Sequence, residues 1–170
     1  QVAGGAFQQG ITPIAMMAAP SFNDSFVREG FALAPLFTSG TMYVTAFTQP
    51  YEADTPGHAA MRATFDAVGQ ATGNLFVTAG WTSQYHLRDV LLAAIKGGDL
   101  TRAGIRRAAA NVDVSSDQMM PIKNLGRDGG QTETYVGVPT ADNLSGINTL
   151  AWPYTGPTAA ARDWTAGACS

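Results

Sequence analysis

Residues 79–98 form the stretch that most constrains how this chain can fold. Apolar residues at intervals of three and four predict one buried face of an α-helix: Leu87, Val90, Leu91, Ala94 and Ile95. A second apolar line lies about 160–200° around the same helix, at 100° per residue: Trp81, Tyr85 and Leu92. A helix that is apolar on two sides is held between layers, so other polypeptide must pack on both of its faces.

The sequence also predicts where this helix ends. Gly97 and Gly98 predict its termination, and Lys96 provides a cation in the last turn, where it favours the helix dipole. We expect Leu91 and Ile95 to be fully buried, whereas Arg88 and Lys96 should be exposed.

Composition narrows the class of protein. Of 170 residues, 45% are hydrophobic and 14% are charged, against about 25% charged in an average soluble domain. A chain of this length and hydrophobic content can form one sizeable core or two small lobes. The net charge of −3 argues against a nucleic-acid partner, and no apolar run reaches the roughly 18 residues of a membrane span.

The two ends of the chain carry weaker signals. It begins at Gln1, without Met or a signal sequence, so we expect a mature product or a fragment, and favour a fragment. Cys169 is the single cysteine and cannot form a disulfide within these residues. Pairing with a cysteine elsewhere and a free terminal thiol both stay open.

Local patterns predict alternating strands and helices. Strands are predicted within residues 41–48 and 134–138. Residues 11–18 form a short apolar run that is either a buried strand or a helix segment, and its length favours a strand. Besides the central helix, the predicted helices cover residues 2–9, 26–33, 58–69, a segment from 102, and 158–164. The predicted N-caps are Asn23, Asp24 or Ser25 for the second, Thr55 for the third and Thr101 for the fourth. This order predicts α/β layering.

Three further details belong to these elements. Met61, Phe65 and Val68 are expected to line the core side of the helix over 58–69. Residues 127–130 predict a turn, and residues 152–157 predict a rigid aromatic tail.

No catalytic arrangement is recognisable within these residues. His58 and His86 have no partner at metal-ligand spacing, which favours structural or surface roles and predicts no metal site. Metalloprotease, paired-cysteine, nucleophile-elbow and phosphate-loop patterns are all missing from the sequence. Glu52 and Asp54 form a weak candidate carboxylate pair, although acidic residues in loops are usually solvated. We expect neither a cofactor nor enzymatic activity.

Two loops that follow predicted strands are candidates for ligand binding. Residues 21–23 and 49–51 each combine a polar side chain with an aromatic one, which suits a small ligand with a polar end and an apolar body. The structural alternative is loop capping, with Phe22 in the core. The sequence leaves both open.

Taken in order, these segments resemble the C-terminal half of a type I periplasmic substrate-binding protein of ABC transporters, in the branched-chain amino acid family. The resemblance rests on the order of its pieces along nearly the whole chain: the helix ending at Gly10, the loop from Ala19 to Asn23, the strand over 41–47, the helix from His58, Gly80-Trp81 with Tyr85, and the helix from Leu100.

In this family, two Rossmann-like lobes are joined by three crossings and close on the ligand. The resemblance implies that residues 1–72 belong to the second ligand-binding lobe and that residues 73–128 return to the first. Residues 129–170 would then hold strands that cross back, followed by a C-terminal tail. The sheet of the first lobe would lie upstream of residue 1.

The resemblance also implies a ligand site and partners. The site would include Ser21, Phe22, Asn23, Trp81 and Tyr85. Leucine-binding members carry a glutamate for the ligand's ammonium where this chain has Ser21, which puts an α-amino acid ligand in doubt and favours a more apolar or aromatic one.

The implied function is extracytoplasmic solute binding, in the periplasm or as a cell-surface lipoprotein. The partners would be a small-molecule ligand and an ABC permease, with membrane association only through the permease or an upstream lipid anchor. A sensory domain of the same fold, or an enzyme with catalytic residues upstream, are the alternatives.

Overall fold

The computed structural model describes residues 2–69, 73–112, 114, 116–120 and 133–162. Its helices are α1 Val2–Gln8, α2 Ala34–Phe37, α3 Pro56–Ala67, α4 Leu75–Lys96, α5 Arg102–Asn111 and α6 Pro157–Ala161. Its strands are β1 Ala15–Ala18, β2 Met42–Ala46, β3 Thr134–Pro139 and β4 Ile147–Tyr154. Short 3-10 helices cover Ala19–Ser21, Asp24–Val27 and Ser116–Gln118.

The four strands form one mixed sheet in the order β1-β2-β3-β4. β1 pairs with β2 in parallel, whereas β3 runs antiparallel to both β2 and β4. Gly137 in β3 sits where an added Cβ would collide with Tyr135 and Ile147. The three predicted strands are confirmed, and the predicted α/β class is correct.

The buried side chains form two separate clusters. The first, here called the sheet cluster, consists of Ala19, Phe22, Val27, Leu36, Phe37, Met42, Val44, Ala46, Leu75, Tyr135 and Ile147. The second, called the helical cluster, consists of Tyr51, Met61, Tyr85, Val114 and Met119. The described residues therefore build two small cores rather than one large core.

Side-chain caps set the starts of the three longest helices. Thr55 and Thr101 accept hydrogen bonds from the backbone N–H groups of His58 (3.3 Å) and Gly104 (3.2 Å), as predicted. Asn74 caps α4 through the N–H of Val77 (2.9 Å), so α4 begins four residues before the predicted start. It ends at Lys96 as predicted, and Gly98 has a φ of 68°.

The predicted helix over 26–33 is wrong. A 3-10 turn over Asp24–Val27 and the single turn of α2 replace it, because Gly30 has a φ of 89° and interrupts any continuous helix. Asn23 caps the 3-10 turn by accepting a hydrogen bond from the N–H of Ser25 (2.9 Å). The rings of Phe26 and Phe31 stack at 5.1 Å instead of following a helical face.

The rigid tail predicted after Trp152 is also wrong in part. Trp152, Pro153 and Tyr154 continue β4, which is the last strand of the sheet, where a residue without an N–H is tolerated. The helix predicted over 158–164 is confirmed as α6, although it ends at Ala161 and Arg162 is already extended. Residues 163 and 164 lie outside the described residues. The turn predicted over 127–130 lies outside them.

One face of α4 is exposed, which contradicts the expected burial of Leu91 and Ile95. Their exposed fractions are 37% and 57%, and Leu87 is 56% exposed. Val90 and Ala94 are buried, while Arg88 and Lys96 are exposed as expected. The described part of the chain places no layer over the outer face of α4, so this apolar stripe has nothing to pack against.

The second apolar line of α4 is only partly buried. Tyr85 belongs to the helical cluster and Trp81 packs against it, but Leu92 is exposed. On α3 the core side is made by Met61 and Phe65, and the predicted contribution of Val68 is wrong because that side chain is exposed at the end of the helix.

The helical cluster can be tested with a matched pair of methionine substitutions in the full-length protein. Met61 is completely buried and Met16 on β1 is 65% exposed. We expect Met61→Ala to lower the free energy of unfolding by about 2–5 kcal/mol, and Met16→Ala to change it by less than about 0.5 kcal/mol. Urea unfolding measures both, and equal effects would contradict the second core.

Candidate functional site

Two segments connect the sheet cluster to the helical cluster and bond to each other. Residues 47–52 follow β2, and residues 116–120 follow α5. The carbonyl of Met119 accepts hydrogen bonds from the Thr48 hydroxyl (3.1 Å) and the Gln49 N–H (3.3 Å). The Gln49 side-chain amide donates to the carbonyl of Gln118 (3.2 Å). We call these paired segments the junction.

Buried hydroxyl groups attach α4 to the junction. The hydroxyls of Thr48 and Thr82 lie 3.2 Å apart, and the Thr82 hydroxyl donates to the carbonyl of Thr78 (2.7 Å). All three threonines are completely buried. Because buried polar groups without partners are costly, this network fixes where α4 meets the junction.

Two charged side chains, one of them in the junction, hold the loop between β3 and β4. The Glu52 carboxylate accepts hydrogen bonds from the N–H (2.7 Å) and hydroxyl (2.6 Å) of Ser145. The Arg28 guanidinium donates to three carbonyls of the same loop, those of Ala141, Asn143 and Leu144. Glu52 thus positions this loop.

His58 has the structural role that the sequence favours. Its ring is fully buried, and Nδ1 lies 2.7 Å from the hydroxyl of Thr55. Burial lowers the pKa of His58 to about 4, because the charged imidazolium would lose its hydration. The side chain is therefore neutral near pH 7. His86, in contrast, is exposed on α4.

The predicted ligand loop after β1 is held by local contacts. Phe22 is only 2% exposed and packs edge-on against Phe26, with ring centroids 6.1 Å apart. Asn23 is occupied as the cap of the following turn, whereas Ser21 is exposed at the end of the preceding one. These contacts are those of the structural alternative, and ligand binding by the triplet stays a prediction.

Trp81 and Tyr85 lie elsewhere, in and against the helical cluster. The ring centroids of Trp81 and Phe65 are 6.1 Å apart, and the Arg88 guanidinium lies 4.6 Å from the centre of the Tyr85 ring. Burial, with Asp117 nearby, raises the pKa of Tyr85. The five predicted site residues are thus divided between two cores, with Phe22 in one and Tyr85 in the other.

A cavity of about 230 Å³ opens beside these aromatic rings. It is lined by Trp81, Gln84, Tyr85 and Arg88. An apolar wall with an amide and a guanidinium group can bind a small ligand that has an apolar body and a polar end. The sequence interpretation missed Gln84 and Arg88, although their positions three residues after Trp81 and Tyr85 place them on the same helix face.

A second, larger depression of about 410 Å³ runs along the exposed side of α4. Its wall is mainly apolar and includes Phe47, Leu87, Val90, Ala109 and Met120. Among the described residues, no group of three or more histidine, cysteine or acidic side chains could hold a metal ion. No described helix has the length and apolar character needed to cross a membrane.

No protein-family model and no curated protein matches this chain. Its fold does match solved structures. A fatty acid ABC transporter substrate-binding protein from Thermomonospora curvata superposes with a TM-score of 0.78 over 95% of this chain, at 19% identity. A branched chain amino acid ABC transporter structure from Thermus thermophilus with bound valine gives 0.64 over 93%, at 13% identity.

The fold is that of part of an ABC-transporter substrate-binding protein. The chain spans 41% and 43% of the lengths of these two structures, so it corresponds to less than half of each. The resemblance inferred from the order of sequence segments is confirmed at the level of fold. Both structural neighbours are named for transport.

The buried histidine predicts a specific pH dependence of stability. The pKa of His58 is about 4 in the folded chain and about 6.5 when unfolded. The unfolded state therefore binds a proton first as pH falls, and stability decreases between pH 6.5 and 4. We expect this histidine to account for a loss of up to about 3 kcal/mol.

Urea unfolding of the full-length protein at pH 7 and pH 4 measures this loss. His58→Gln should remove this part of the pH dependence, whereas His86→Gln, at the exposed histidine, should retain it. Equal pH profiles for the two variants would contradict a buried neutral His58.

Proposed function

We propose that this chain is part of an extracytoplasmic solute-binding protein that captures a small amphipathic ligand for an ABC importer. The observation that carries the proposal is the superposition of 95% of the chain on a substrate-binding protein, with a TM-score of 0.78. The whole fold supports solute binding as the coarse function. The ligand, the permease partner and the location outside the cytoplasm are part of the proposal.

The lobe organisation is a second part of the proposal. We propose that the sheet cluster belongs to the second lobe and the helical cluster to the first, as the resemblance implies. The resemblance implies boundaries at residues 72 and 128. Because Tyr51 and Met61 already contribute to the helical cluster, we place the first crossing at the junction, at residues 48–52. The return crossing would then include residues 116–120.

The proposed ligand site lies between the two cores. On the sheet side, the exposed Ser21 and the neighbouring Asn23 would supply polar groups, and the buried Phe22 would hold their loop in place. On the helical side, the cavity beside Trp81 and Tyr85 would receive the apolar part of the ligand. Closure of the lobes would bring the two walls together.

The proposed ligand class is based on the uncharged side chains of the sheet side of this site. Ser21 offers a hydroxyl where leucine binders have a carboxylate, and hydrogen bonds to a charged group are roughly twice as strong as neutral ones. Asn23 adds no charge. An amphipathic ligand without an ammonium group therefore fits better than an α-amino acid. The fatty acid named for one structural neighbour makes palmitate a suitable probe.

The proposal is tested by calorimetry of the full-length protein with leucine and with palmitate. We expect Ser21→Glu to tighten leucine binding about tenfold or more, because one charge-assisted hydrogen bond contributes about 1.5–3 kcal/mol. Ser25→Glu adds the same charge on an exposed residue of the same loop and serves as the control. It should leave leucine binding unchanged.

Two results would contradict this proposal. Micromolar or tighter leucine binding by the unmodified protein would mean that another residue holds the ammonium. Equal effects of Ser21→Glu and Ser25→Glu would mean that the loop lies outside the site.

The exposed face of α4 belongs to the same proposal. We propose that polypeptide outside residues 1–170 covers Leu87, Leu91 and Ile95 in the full-length protein. The support is the length of both structural neighbours, which exceeds twice the matched part, together with the neighbouring apolar depression that Leu87 lines. Apolar surfaces of this kind rarely stay exposed in monomers.

Thiol reactivity tests this covering layer. In a Cys169→Ser background, Leu91→Cys should react rapidly with a water-soluble maleimide in the 170-residue chain, and at least tenfold more slowly in the full-length protein. Lys96→Cys, on an exposed residue of the same helix, should react at similar rates in both. An unchanged rate at residue 91 would show that nothing covers this face.

A further inference from the structure

Three consecutive residues of the junction have a left-handed backbone. Ser116, Asp117 and Gln118 have φ values of 42°, 43° and 65°. Each left-handed residue other than glycine is disfavoured by a factor of roughly ten relative to the right-handed form. Such residues persist only where the surrounding structure holds them, and they concentrate at clamps and switches. Glycine would occupy these positions without the penalty.

Buried contacts of the next residue hold this turn in place. Met119 is completely buried, and its sulfur lies 3.7 Å from the hydroxyl oxygen of Thr82 on α4. Its side chain lies against Gly57 of α3, where an added Cβ would be 2.7 Å from the sulfur. The close approach of Met119 to α3 therefore requires glycine at residue 57, because any side chain there would collide with it.

Hydrogen bonds within the junction complete the restraint. The carbonyls of Gln118 and Met119 accept from Thr48 and Gln49, which follow β2 directly. The Ser116 hydroxyl bonds to the backbone of Met120 and closes the turn. The strained residues are therefore held jointly by the segment leaving the sheet and by two helices of the helical cluster.

We propose that the Ser116–Gln118 turn is a conformational switch that sets the relative orientation of the sheet and helical halves. In the structure, Met119 lies against Gly57 and the backbone of residues 116–118 is held in its left-handed form; we call this the seated arrangement. A rotation of the halves would move Thr48 and Gln49 away from residues 118 and 119, and the turn could then relax to the right-handed form. The stored strain thus opposes the seated arrangement. This inference rests on the proposed function, because it concerns the motion that would open and close the ligand site.

Glycine substitution isolates the backbone effect. The side chain of Gln118 is exposed, so Gln118→Gly removes the left-handed penalty and Gln118→Ala provides a matched loss of the same side chain. We expect the glycine variant to populate the seated arrangement about five- to tenfold more than the alanine variant does, the factor by which one left-handed residue is disfavoured.

Pulsed electron-spin distance measurements on the full-length protein report this population directly. Spin labels at Asn148→Cys on β4 and Arg106→Cys on α5, in a Cys169→Ser background, mark the two halves at exposed positions. If the turn had only a structural role, Gln118→Gly would have a higher free energy of unfolding than Gln118→Ala, but the two variants would give the same distance distribution. Equal distributions in the glycine and alanine variants, with or without a stability difference, would overturn the inference.

A second arm separates this inference from the proposed function. Saturating palmitate or leucine should shift the distribution of the unmodified protein. If neither probe shifts it while the glycine and alanine variants still differ, the switch stands and the proposed ligand class fails. If a probe shifts it while the two variants coincide, the solute-binding function stands and the switch is overturned.

Discussion

The structure depends on the hydrogen bonds between the segment after β2 and the backbone around Met119. The carbonyl of Met119 accepts from both Thr48 and Gln49, and its side chain fills the space that Gly57 leaves open. These contacts join a four-stranded sheet to a helical core although the two cores share few side chains. The hydroxyls of Thr48 and Thr82 extend the same network into α4. Since Thr48, Thr82 and Met119 are completely buried, losing one of their hydrogen-bonding groups would leave its partner unsatisfied.

The division into two cores is compatible with the proposed binding function. Ligand-binding proteins of two lobes need rigid walls and a connection that allows them to move. The two walls of the proposed site are held differently: Phe22 anchors the loop after β1, and the cavity beside Tyr85 lies on one face of a long helix. The junction between them contains the three left-handed residues. In the proposed switch, the segment that moves is therefore also the segment that carries the backbone strain.

On the exposed face of α4, the sequence pattern predicts burial and the structure shows exposure. The spacing of Leu87, Leu91 and Ile95 is that of a buried stripe, yet these side chains are exposed. The helical spacing of apolar residues indicates which face of a helix must be covered. The segment that covers this face can lie far away in the sequence. The two structural neighbours are more than twice as long as the matched region.

The sequence by itself determined the local elements, because their causes are local. The caps at Thr55 and Thr101, the glycines after Lys96 and the β-branched strand over 42–46 depend on neighbours within a few residues. The order of these elements was enough to indicate the fold. Tertiary structure alone decided that Phe22 is in the core, that Glu52 binds Ser145, and that residues 116–118 are left-handed. Each of these depends on contacts between residues far apart in the chain, which no local pattern encodes.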